Sequence, residues 1–225
     1  MTSRDVVEDM STPTPSLPLR SVRLLAGLWL FALGTVLTLR ASLGVTPWDV
    51  LHDGIRKNTP LTFGLAVIGI GLLLVVLSAL AGIKPGPGTI ANMLLIGAFV
   101  DLMLATGIGA ALDDGAMAGR VAAMLAGILV VGLGSALYIG AALGAGPRDS
   151  LMVVAATRLH LPVGVARALI EGGALVAGWL LGGAVGVGTL VYVVGIGPSV
   201  DFFFRLFRMD ADGRVRRPAL EGGVT

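Results

Sequence analysis

Displaced by 100 positions, the sequence aligns with itself without a gap. LAG at 25–27 falls on LAG at 125–127, and ALGTVLTLRASLGVTPWDVL (32–51) falls on GLGSALYIGAALGAGPRDSL (132–151). Gly64 meets Gly164, GPGT (86–89) meets GVGT (186–189), and Ile96, Gly97, Val100 and Asp101 meet Ile196, Gly197, Val200 and Asp201. By count, roughly a third of the positions are identical between the two copies, and such self-similarity decides architecture. Any two Leu/Ala/Gly-rich segments share greasy residues, but matched Pro47/Pro147, Asp49/Asp149 and Asp101/Asp201 need a duplication.

Each copy holds three apolar runs: near 22–43, 61–83 and 88–107, then 117–143, 162–183 and 187–207. A bilayer span takes about 20 apolar residues. The chain is 55% hydrophobic and 13% charged, whereas a water-facing domain carries about 25% charge. The expected fold is therefore all-α and polytopic, with about six transmembrane helices and the lipid bilayer as first partner. An odd number of spans per copy makes consecutive copies enter the membrane from opposite sides, so the expectation is two inverted three-helix repeats. Polar PWDVLHDGIRKNT (47–59) and PRDSLMVVAATRLH (147–160) follow the first span of each copy. Each reads as a short Pro-initiated helix or a re-entrant segment. The organisation expected is a disordered tail at 1–19, one membrane domain at 20–208 (repeats 20–107 and 117–207), and a basic tail at 209–225.

Orientation follows from the basic residues. With both termini cytoplasmic, the inner side carries Arg4, Arg20, Arg23, Lys84, Arg148, Arg158, Arg167, Arg205, Arg208, Arg214, Arg216 and Arg217. The outer side carries Arg40, Arg56, Lys57 and Arg120, offset by Asp113 and Asp114. The C-terminal cluster supplies most of the bias.

LGVTPWDVLHDG (43–54), GPGTIANMLLIGAFVDL (86–102) and LYIGAALGAGPRDSL (137–151) resemble the YczE/YyaS/YitT group of bacterial integral membrane proteins, over about residues 20–205. The resemblance implies a bacterial plasma-membrane location. It brings no catalytic or binding residues with it.

Candidate site residues come from the chemistry alone. In LGxxPxDxL, Gly44 and Gly144 can end a helix in the left-handed conformation, and Pro47 and Pro147 can open the next. Asp49 and Asp149 then complement the new helix dipole. The same residues, with Trp48 and Arg148, suit a broken segment lining a central cavity, where inverted-repeat transporters place substrate. In GxGT, Thr89 and Thr189 are either N-caps of the third helix or part of an anion cradle. Charged groups inside apolar runs default to function. Arg167 and Glu171 stand one turn apart and either neutralise each other or couple transport. Asp201 has Arg205 within reach at i+4, whereas Asp101 has no basic neighbour and draws more suspicion. Arg40 either snorkels or meets a carboxylate across the bundle.

No cysteine is present, and His52 and His160 stand far apart. No metal site, cofactor or enzymatic activity is expected, and nothing points to nucleic acid. Two functions remain: a small-molecule secondary transporter of unknown substrate, with Asp101 or Glu171 as the candidates for proton coupling, or a non-transporting subunit or regulator of another membrane complex. Homo-oligomerisation is left open.

Overall fold

The computed structural model describes residues 16–113, 115–144 and 146–207. The basic tail expected at 209–225 lies outside the described residues, as does 1–15 of the expected N-terminal tail. Eight α-helices follow: α1 (Leu17–Ala41), α2 (Pro47–Asn58), α3 (Phe63–Leu80), α4 (Pro87–Ala105), α5 (Met117–Ile139), α6 (Pro147–Leu159), α7 (Val163–Leu180) and α8 (Val187–Leu206). A single 3₁₀ turn, Ala110–Leu112, precedes α5. Six helices, all but α2 and α6, are long and apolar enough to cross a membrane. Their outer faces carry Leu72, Leu73, Leu80, Val176, Trp179 and Leu180, all exposed, as suits side chains that meet lipid.

Helices α1 and α5 form the centre and run antiparallel. Gly27 lies against the backbone of Gly134 and Tyr138, and Gly34 against that of Gly127 and Val131. A Cβ at either glycine would strike main-chain atoms, so the helix axes approach more closely than larger side chains permit. Around this pair, α4 packs on α1 and α8 on α5. Short α2 lies between α7 and α3, with Gly178 and Gly183 against its Val50 backbone. Short α6 lies between α3 and α7.

The two halves are stitched by reciprocal contacts. Gly88 N–H donates to Leu143 O at 2.8 Å, and Gly188 N–H donates to Leu43 O at 2.7 Å. Arg20 Nε donates to Ala141 O and Arg120 Nε to Ala41 O, both at 2.8 Å. Each guanidinium thus caps the carboxyl end of the opposite central helix, where cations are favoured.

These stitches correct two local expectations. The left-handed residue closing α1 is Ser42 (φ 50), and its counterpart after α5 is Ala142 (φ 52). Gly44 and Gly144 follow two residues later at φ 115 and 132, pressed against the hydroxyls of Thr189 and Thr89. Thr89 and Thr189 in turn are not N-caps. They sit at the third position of α4 and α8, and their hydroxyls accept from the N-cap amides of Gly86 and Gly186. The glycine-rich amides have protein partners (Leu43 and Leu143), so the anion-cradle alternative fails there too.

Candidate functional site

The two short helices begin at the same place. Thr46 caps α2 by accepting from Asp49 N–H at 3.0 Å, Pro47 opens the helix, and Pro147 opens α6 after the Gly146 N-cap. At the meeting point the guanidinium of Arg148 lies 5.0 Å from the ring centroid of Trp48, within cation–π range. These are equivalent positions of the two copies. The structure places the candidates Pro47, Trp48, Asp49, Pro147, Arg148 and Asp149 around this meeting point. Five of them line one cavity of about 550 Å³, and Asp49 stands just behind its wall.

Behind Trp48 lies a buried pair. His52 Nδ1–H donates to Asp49 Oδ1 at 3.2 Å, since a carboxylate can only accept. Phe63 meets the imidazole edge-on at 5.7 Å. Burial lowers the His52 pKa from its ordinary value and outweighs the opposing Asp49 hydrogen bond, so the ring is neutral at pH 7. Its Nε2 and the Trp48 indole Nε1 are buried without a hydrogen-bond partner, a state that costs free energy unless a further group arrives.

On the α6 side, Asp149 stands near Gly146, the Tyr138 hydroxyl and the Asn92 amide. Burial raises the Asp149 pKa, and Arg167, Arg148 and the Tyr138 hydrogen bond oppose that rise without cancelling it. Arg167 and Glu171 lie on the α7 wall and pair at 3.0 Å, the self-neutralising alternative. Arg148, by contrast, makes no ion pair and no hydrogen bond among the described residues. Sequence reading missed Tyr138, Tyr192, Asn92 and His52 as wall residues. A lone aromatic or amide in an apolar helix carries no periodic signal, and His52 has no counterpart in the second copy.

The remaining candidates lie elsewhere. Arg40 meets a carboxylate, Asp113, at 2.5 Å, outside the cavity. Asp101 caps α3: it accepts from the Thr62 hydroxyl and, at 2.7 Å, from Gly64 N–H. Its isolation in sequence is resolved by a helix start rather than a base. Asp201, its equivalent, does not pair with Arg205. It is exposed, without a partner among the described residues, and lines the cavity.

This difference extends along both helix pairs. Gly64 and Gly97 hold α3 and α4 in backbone contact, whereas a Cβ built on Gly164 or Gly197 finds no atom within 4 Å. The cavity reaches down α7 and α8 to Gly164 and Asp201, but on α3 and α4 it ends at Val67 and Ile96. Pro198, inside α8 beside Gly197, removes a rung of that helix's hydrogen-bond ladder.

Six membrane-length helices surrounding a partly polar cavity define a multi-pass helical membrane protein. The chain belongs to the family of unknown function DUF6198, whose model matches residues 19–205. It is 37% identical over 183 residues to an uncharacterized protein of Haemophilus influenzae, covering 81% of this chain and 82% of that one. It is 36% identical over 171 residues to the uncharacterized membrane protein YczE of Bacillus subtilis (75% and 78% of the two chains) and 26% identical over 168 residues to YyaS of the same organism (74% and 83%). No solved structure matches the chain.

Proposed function

We propose that the protein is a small-molecule secondary transporter of the bacterial plasma membrane, working by alternating access between two inverted repeats. One observation carries this reading: equivalent helix pairs of the two halves are in different states. Helices α3 and α4 are closed by Gly64, Gly97 and the Asp101 cap, while α7 and α8 stand apart with Asp201 unpartnered. A duplicated chain has no reason to build one pair tight and the other splayed unless the states can exchange. Exchange of two pre-existing arrangements is how a central site reaches each side in turn.

The closed partner state follows from the repeat. Asp201 moves onto the free amide of Gly164, Gly164 meets Gly197, and Asp101 releases Gly64. Pro198 and the small residues about it form the hinge. With both termini cytoplasmic, the splayed pair opens to the cytoplasm.

The chain has no native cysteine, so Gly164→Cys with Gly197→Cys is a clean pair for an oxidative cross-link in membranes. A bridge is expected to form, because the alternate state brings the two positions together. A pair that never cross-links, while each single thiol is reactive, contradicts the exchange.

A further inference from the structure

We propose that the cavity binds a small monocarboxylate with an apolar body, its carboxylate on Arg148 and a cotransported proton on Asp149. This deepens the transport reading and rests on it for the word cotransported, but the binding site stands on its own geometry.

Arg148 is the group that offers a place to an anion. Arg167 is neutralised by Glu171 at 3.0 Å, and His52 is neutral, which leaves Arg148 as the wall cation with no ion pair or hydrogen bond of its own. A guanidinium offers a flat fork of donors that matches a carboxylate in two parallel hydrogen bonds. The guanidinium carbon lies over the Trp48 ring at 5.0 Å, and the indole N–H is an unpartnered donor in a residue only 5% exposed. Both short helices direct their amino ends, the positive ends of their dipoles, to this point. The rest of the wall, with Val67, Leu74, Met93, Ile96 and Met152, suits an apolar body.

Asp149 decides the proton count. It follows Arg148 on the same turn, so an ionised Asp149 competes with the substrate for the guanidinium. Asp149 is hydrogen-bonded to the Tyr138 hydroxyl of α5 and feels Arg167 of α7, while Asn92 of α4, Glu171 of α7 and His52 of α2, the last paired with Asp49 behind the wall, line the same cavity. Tyr192 and exposed Asp201 line the cavity from α8, and α3 contributes no charge. Burial among these groups favours the neutral carboxyl, which removes the competition. One proton taken up on the Asp149 carboxylate with one carboxylate held by Arg148 makes an electroneutral load, and release of both resets the site.

Trp48 is its own reporter once Trp29→Phe and Trp179→Phe remove the two lipid-facing indoles. The purified full chain is titrated in detergent with acetate, hexanoate and benzoate, with benzylamine and hexylamine as cationic matches, and with inorganic phosphate. A saturable change in Trp48 emission is expected with hexanoate or benzoate and not with the amines. Binding is expected to weaken as pH rises through the raised Asp149 pKa, since the ionised carboxylate then competes for Arg148. Arg148→Gln is expected to abolish it, and Asp149→Asn to retain it without the pH dependence, each variant being checked by thermal melting. A response to an amine or phosphate instead of a carboxylate, no response to any carboxylate, or undiminished binding in folded Arg148→Gln overturns the site. Carboxylate binding without carboxylate flux in proteoliposomes leaves the site standing and overturns the transport reading.

Discussion

Arg148 and Trp48, one repeat apart in sequence, meet with the guanidinium carbon over the indole ring, 5.0 Å from its centroid. Divergence of one member to Arg and the other to Trp makes the contact polar and asymmetric. Trp48 also packs on Leu74 and Ala174. Trp48→Ala is expected to cost about 3–5 kcal/mol, as large buried truncations do. Trp48→Phe is expected to keep most of that stability and to loosen Arg148. Thermal melts of both variants in one detergent make the comparison.

Asp101 and Asp201 occupy the same repeat position but have different work. Asp101→Ala removes a helix cap and is expected to cost about 1–2 kcal/mol. Asp201→Ala is expected to be within about 0.5 kcal/mol of the parent, because in this state the carboxylate holds nothing. Equal losses in chemical denaturation contradict the asymmetry.

How far these features were legible in sequence depends on the kind of signal. Spans, the duplication and the Pro-opened short helices follow from length, spacing and residue type, so they could be read directly. Which copy of a symmetric residue is engaged could not, because the partners that engage Asp101, Thr62 and Gly64, lie far off in sequence at the start of another helix, and Asp201 has none among the described residues. In the sequence Arg20 and Arg120 register only as charges. Their true role, capping the far central helix, needs the two halves to be docked. The repeated LGxxP and GxGT motifs were read separately, whereas Gly44 presses on Thr189 and Gly144 on Thr89.

That clasp gives a test at the backbone. Gly44 and Gly144 have positive φ and no room for a Cβ, so Gly44→Ala and Gly144→Ala are each expected to cost at least about 1–3 kcal/mol. Gly172→Ala, where nothing lies within 4 Å, is expected to be neutral or slightly stabilising, because alanine favours helix.

Asp53 predicts an acid limit to stability. Burial pushes its carboxyl up, but hydrogen bonds from Lys57 and Arg56 outweigh burial and bring the pKa below the ordinary value of 3.8. The carboxylate also accepts from Ala184 N–H at 3.0 Å, which ties α2 to the loop before α8. A depressed pKa contributes stability that is present above the unfolded value and lost as pH falls through the folded one. The melting temperature is therefore expected to fall below about pH 4 in the parent, and Asp53→Asn is expected to lower it at neutral pH and flatten that fall. The same slope in both chains removes Asp53 from the account.

The central claim is that one cavity is reached from both sides in turn, and a single thiol in its wall tests it most directly. Ile70 lines the cavity on α3, so Ile70→Cys is labelled with a membrane-impermeant maleimide in sealed vesicles of each orientation. Labelling is expected mainly from the side that holds the termini, with access from the opposite side rising when Asp101→Ala releases the α3 cap. Labelling from one side only, unchanged by Asp101→Ala in a folded protein, contradicts alternating access and leaves a static pocket.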